Sequence, residues 1–365
     1  MSSLFSPLTL KGLTLRNRIA VSPMCQYMAE DGLTTAWHGP HYASLARGGA
    51  GLVVVEATAV SPEGRITPAD LGIWSDAHAD KLVPIVRDLK EAGAVAGIQI
   101  AHAGRKASAN RPWEGDDHIT ENDPRGWETL APSALPFGAN LPKVPRAMTL
   151  EDIERIKTDF VQAAARARDA GFEWLVLHFA HGYLGQSFFS THSNQREDKY
   201  GGSAENRGRF LLETLQAVRE VWPDHLPLTA RFGVIEFDGR DEQTTAEAIA
   251  LIQQFKRAGL DFIDVSMGFS TPDAAIPWGA NMLADLTARV RRETGLPCAT
   301  SWNISSPEEA NAMIQEGQLD MVMLARPMLA DPHWPYMAAR RLGIDNPSWV
   351  MPAPYAHWLE RYRGE

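Results

Sequence analysis

The 365-residue chain has only two cysteines, Cys25 and Cys298. One disulfide is arithmetically possible, but a disulfide framework is not, so the fold must rest on its core. No apolar run reaches the roughly 20 residues that a membrane span requires. The first seven residues carry neither a basic nor an apolar signal region, so a reducing cytoplasm is the expected setting. Positive charge is in deficit: 35 Lys and Arg stand against 45 Asp and Glu, a net charge of −10. Binding duplex nucleic acid takes a face rich in Lys and Arg, so neither nucleic acid nor membrane is an expected partner. A phosphorylated ligand stays open, because one arginine and a few backbone amides can hold it. G-x-G-x-x-G is missing where the first strand-like run ends, at Ser22-Pro23-Met24-Cys25. This argues against a dinucleotide-binding open sheet.

What the chain does have is a rhythm. Short apolar or β-branched runs at 17–22, 52–57, 95–100, 174–178, 228–232, 262–266, 297–301 and 321–325 read as strands buried on both faces. Amphipathic stretches lie between them, at 80–92, 150–170, 203–221, 244–258, 286–294 and 307–316. Three of these run into Ala-Gly, a usual helix ending. Eight strands with intervening helices predict an α/β fold, a closed (β/α)8 or TIM barrel. The stretch 102–148 is rich in Pro, Gly, Asp and Trp and has a weak hydrophobic period. It predicts an excursion after the third strand that serves as a lid, a cap or a subunit contact. No linker divides the chain, so a single domain over 1–365 is expected.

In such a barrel the site gathers at the C-terminal ends of the strands. Those ends carry Pro23, Met24, Cys25 and Tyr27 after the first strand and Ala57 on the second. Gln99 stands on the third, and His178, His181 and Tyr183 follow the fourth. Arg231 ends the fifth, Ser301 and Trp302 the seventh, Ala325 and Arg326 the eighth. Polar groups in buried strands are costly unless partnered, so their convergence points to a polar ligand. His178 and His181 can donate to one oxygen, satisfy backbone groups, or begin a metal site; the last needs a third ligand that the loop does not supply. Tyr183 can give a proton to a developing carbanion. Arg231 can face an anion or close an ion pair. Cys25 reads as nucleophile, redox-tuning thiol or buried filler. Arg326 is placed for phosphate.

Five stretches carry a resemblance: "LKGLTLRNRIAVSPMCQY" (10–27), "GIQIAHAGRKA" (97–107), "HFAHGYLGQSFFSTHSNQREDKYGGSAENRGRF" (178–210), "ARFG" (230–233) and "RPMLADPHW" (326–334). The chain resembles the Old Yellow Enzyme family of flavin-dependent ene-reductases, nearest the class of bacterial xenobiotic reductases and thermophilic-type members. The match runs nearly end to end. The resemblance implies non-covalent FMN, reduced by NADPH or NADH, with flavin N5 then passing hydride to the β-carbon of an activated alkene. It places Pro23, Met24, Cys25 and Ala57 along the flavin ring, Gln99 at its pyrimidine edge and Arg231 at N1–C2. Cys25 would tune the potential. His178 and His181 would clamp the substrate carbonyl, Tyr183 would protonate the α-carbon, and Tyr27 and Trp302 would shape the pocket. Ser301, Ala325 and Arg326 would meet the phosphate. A homodimer or homotetramer is expected, with Trp358 of the 345–365 tail reaching a neighbouring subunit. The family usually has a glycine after the seventh strand and Gly-Arg after the eighth; this chain has Ser301-Trp302-Asn303 and Ala325-Arg326. The alternative is a metal-dependent hydrolase on the same barrel, using His178 and His181.

Overall fold

The computed structural model describes residues 3–363; the outermost residues of the expected domain and tail (1–2 and 364–365) lie outside the described residues. Eight parallel strands close into a barrel: β1 (Ile19–Val21), β2 (Leu52–Ala59), β3 (Val95–Ala101), β4 (Trp174–Phe179), β5 (Leu228–Ile235), β6 (Phe262–Met267), β7 (Cys298–Thr300) and β8 (Met321–Leu324). Neighbours in sequence are neighbours in space, and β8 pairs with β1. The predicted barrel is borne out. The predicted strands at 17–22, 297–301 and 321–325 are trimmed to β1, β7 and β8, which frees Ser22, Ser301 and Ala325 for the loops at the mouth.

The two-residue period of the strands sorts their side chains into two cores. Ile98, Leu175, Leu177, Ile263, Val265 and Val322 face outward into the layer shared with the helices. Val54, Trp174, Val176, Phe262, Ala299 and Met323 fill the barrel interior. Leu8 and Leu15 join this inner cluster from an antiparallel hairpin (Leu8–Leu10 with Leu13–Leu15). By the same alternation Gln99, His178, Arg231, Asp264, Ser266 and Ser301 follow the inner set, above the apolar layers.

The outer ring comprises α1 (His38–Arg47), α2 (Asp76–Glu91), α3 (Leu150–Asp169), the short α4 (Leu184–Phe189), α5 (Ala204–Val221), α6 (Asp241–Arg257), α7 (Ala284–Thr294) and α8 (Pro307–Gln315). Thr149 begins α3 with a capping box to Asp152. Gly93, Gly171 and Gly259 take positive φ just past their helices, as the Ala-Gly endings predict. Three helices follow β8: α9 (Arg326–Ala330), α10 (Trp334–Arg341) and α11 (Ala353–Leu359). Residues 102–149 run between β3 and α3 with only short 3₁₀ turns and one two-residue strand pair.

Candidate active site

The strand ends surround a cavity of about 760 Å³ lined by Ser22, Pro23, His181, Arg231, Trp302 and Arg326 among others. Register places His178, Arg231 and Asp264 side by side on β4, β5 and β6. Arg231 Nη2 donates to Ser301 Oγ at 2.7 Å. Its Nε lies 3.2 Å from Asp264 Oδ2, with both side chains buried. Two strands from Arg231, on β3, Gln99 is buried and its Nε2 has no partner.

The His178 and His181 rings stand perpendicular, 5.0 Å apart, and the Tyr183 ring lies 5.0 Å from His178. The Ala180 backbone N–H donates to His178 Nδ1 at 3.3 Å, which assigns the proton to Nε2. Ser266 Oγ accepts from Trp302 Nε1 at 3.1 Å and lies 2.8 Å from His181 Nε2. The serine proton is then free to go to His181 Nε2, which leaves Nδ1–H as that ring's donor. Burial, then the Arg231 charge, holds both imidazoles well below their ordinary pKa, so they act as neutral donors. Burial, then the neighbouring Cys25, lifts the Tyr183 phenol well above its usual value, so it stays protonated.

A set of loop contacts holds this arrangement. His181 has φ +63, and Gly182 follows at φ +69. Lys106 Nζ donates to the carbonyls of His181 (2.9 Å) and Phe269 (2.8 Å); burial lowers its pKa to about 7. Phe269 and Trp302 each pack edge-on against His181, and Trp278 joins them from the loop after β6. Glu236 secures that loop by accepting from the Ser270 N–H and hydroxyl. A Cβ on Gly182 would meet the Phe269 carbonyl at 2.4 Å in a backbone conformation that L residues resist. Gly182→Ala is therefore expected to cost about 1–3 kcal/mol of stability. A thermal melt of the variant beside the parent protein reads that loss.

Cys25 is half-buried, and burial, then Asp70 and Glu56, pushes its thiol up, so it is a neutral thiol and not a ready nucleophile. Pro23 lines the cavity, and Met24 packs partly buried against the core. Ala325 has φ −112°, outside the left-handed region, so its Cβ brings no backbone strain there. Asn303 does take φ +55, a conformation asparagine tolerates. Its Oδ1 accepts from Arg326 Nη2 at 2.8 Å. Trp358 is 72% exposed on α11 and is not brought to the cavity within one chain. Among the described residues no group of three His, Cys, Asp or Glu is placed to hold a metal. Sequence reasoning missed Asp264, Ser266, Lys106, Phe269 and Trp278.

An unpartnered amide on β3 and a fixed cation on β5, one strand between them, suit a planar, hydrogen-bonding ligand that gains negative charge, as a flavin does on a barrel of this kind. The chain belongs to the NADH:flavin oxidoreductase / NADH oxidase family, whose sequence profile matches residues 3–344. It is 42% identical over 343 residues to an NADPH dehydrogenase of Geobacillus thermodenitrificans, covering 93% of this chain and 95% of that one. Morphinone reductase in complex with tetrahydroNAD superposes with a TM-score of 0.77 at 28% identity, covering 98% and 97%. The old yellow enzyme homologue from Zymomonas mobilis superposes at 0.76 and 28%, covering 93% and 92%. The protein is an NAD(P)H-dependent flavin oxidoreductase with FMN as cofactor, and the expected family resemblance holds.

Proposed function

We propose that this oxidoreductase is an ene-reductase acting on α,β-unsaturated carbonyl compounds and other activated alkenes. The observation that carries this reading is the perpendicular pair of neutral imidazoles beside a protonated phenol. FMN, when bound, would supply the hydride chemistry, with NADPH or NADH as reductant and the β-carbon of the alkene as acceptor. Pro23, Met24, Cys25 and Ala57 border the ring, Gln99 takes its pyrimidine edge, and Arg231 faces the side where charge accumulates. Ser301, Ala325 and Arg326 hold the phosphate. The two imidazole N–H groups donate to the substrate oxygen and stabilise the charge that grows there. Tyr183 gives its proton to the α-carbon. Tyr27 and Trp302 set the width of the pocket, and residues 102–148 cover it.

Trp349, Tyr355, Trp358 and Tyr362 form a run of exposed aromatics at the end of the chain. Exposed aromatics of this kind suit a subunit contact, so the enzyme works as a homodimer or homotetramer in the cytoplasm, with Trp358 at the partner's rim. Anaerobic mixing with NADPH should bleach the visible flavin bands. Adding 2-cyclohexenone should then restore them and yield cyclohexanone. A reduced enzyme that no enone, enal or nitroalkene reoxidises would overturn the ene-reductase reading.

A further inference from the structure

Asp264 has no part in the chemistry above, yet it sits among the groups that carry it out. It lies on the inward face of β6 between Phe262 and Ser266, 4% exposed and in register with Arg231. Neither carboxylate oxygen accepts a hydrogen bond; the contact with Arg231 Nε at 3.2 Å is its ion pair. A buried acid with unsatisfied lone pairs is expensive, and an apolar residue of similar size would commonly be no less stable. Its remaining effect is on the arginine. Ser301 holds the other end of the guanidinium through Nη2, so the cation is fixed between Asp264 and the cavity that it lines.

We propose that Asp264 is a positioning residue that sets the effective charge Arg231 presents to the cofactor, and with it the balance between oxidised and reduced flavin. With Asp264 ionised the pair is close to neutral; with Asp264 protonated the full cation faces the cavity and favours the reduced, negatively charged form. Burial, opposed by Arg231, lifts the Asp264 pKa to about 6, so this balance shifts within the ordinary working range. The titratable groups that act with it are Arg231 on β5 and the Cys298 thiol on β7, which burial keeps protonated. The inference rests on the proposed placement of Arg231 beside the flavin.

The test is potentiometric titration of the FMN-loaded enzyme at pH 5 and pH 8. Asp264→Asn should raise the reduced-to-oxidised ratio at a fixed potential about tenfold at pH 8, or about 30 mV for a two-electron couple. The gap should shrink to about threefold or less at pH 5, where the parent carboxylate is itself protonated. Asp264→Ser should behave alike and decides the matter if the asparagine variant fails to hold FMN. Arg231→Met is measured beside them. If Arg231→Met lowers the ratio and both Asp264 variants leave it unmoved, the role of Asp264 is overturned. If none of the three moves it, the placement of Arg231 falls as well. A gap that is the same at both pH values would also overturn the proposal.

Discussion

Replacing His178 and His181 together by Ala is expected to abolish binding of simple phenols to the oxidised enzyme and to lower alkene turnover by about 10³-fold or more. The two rings stand at right angles, 5.0 Å apart, and the proposed clamp has each donate one N–H to the substrate oxygen. Loss of one pre-placed donor typically costs about 10²–10³ in rate, and two donors on one oxygen act as a unit whose losses need not add. Neither ring belongs to the apolar layers, and the double variant should still give a folded barrel by circular dichroism. The direction of the imidazole pKa values adds a second reading. Both are held well below 6.5, so a rate profile on these residues should show no break between pH 6 and 8. Persistence of the long-wavelength absorbance that phenols induce in oxidised flavin would sink the clamp.

The barrel was legible because its strands are buried on both faces. That burial forces continuous apolar runs, which stand out without any tertiary information. Strand ends were less legible: the run 297–301 loses Pro297 and Ser301 to the flanking loops, and where ladder pairing stops is set by the neighbouring strands. α1 was missed because Gly39 and Pro40 sit in its first turn, where proline costs a helix little but breaks the pattern by eye. The predicted start of α2 at 80 falls short of Asp76 because the first turn, Asp-Ala-His-Ala, presents little apolar periodicity. Of the helices after β8, only α11 falls in the stretch 345–365 expected as tail; α9 and α10 are too short to show an apolar period.

The site divides along the same line. Gln99, His178 and Arg231 were found because a polar residue in a buried strand demands an explanation. Asp264 and Ser266 made the same demand from β6, and the period-two rule applied to that strand would have found both. Lys106, Phe269 and Trp278 gave no such signal. They act through loop conformations, the positive φ of His181 and Phe269 among them, that only the folded chain displays. Trp278 reaches Trp302 because Glu236 and Arg105 fasten residue 270, a contact across 34 and 165 residues of sequence.

Changing Tyr183 to Phe is expected to leave reduction by NADPH close to the parent rate and to slow alkene reduction by about 10²–10³-fold. The ring fills the same space beside His178, so the variant removes only the hydroxyl. Burial keeps that hydroxyl protonated across the working range, which makes it a donor at every ordinary pH and predicts no fall in rate on the alkaline limb from this group. Two other protic groups stand near, and each is a weaker candidate. The Cys25 thiol is half-buried and held neutral by burial. The Tyr27 ring packs edge-on against Trp113 rather than against the imidazoles, and burial lifts its pKa as well. Stopped-flow measurement of the two half-reactions separates the cases, because only the second consumes a proton at carbon. An unchanged oxidative half-reaction in Tyr183→Phe would move the proton to Tyr27 or water; the Tyr27→Phe/Tyr183→Phe pair would then choose between them. A slow oxidative half-reaction with unaltered phenol affinity would separate proton transfer by Tyr183 from carbonyl binding by the two imidazoles.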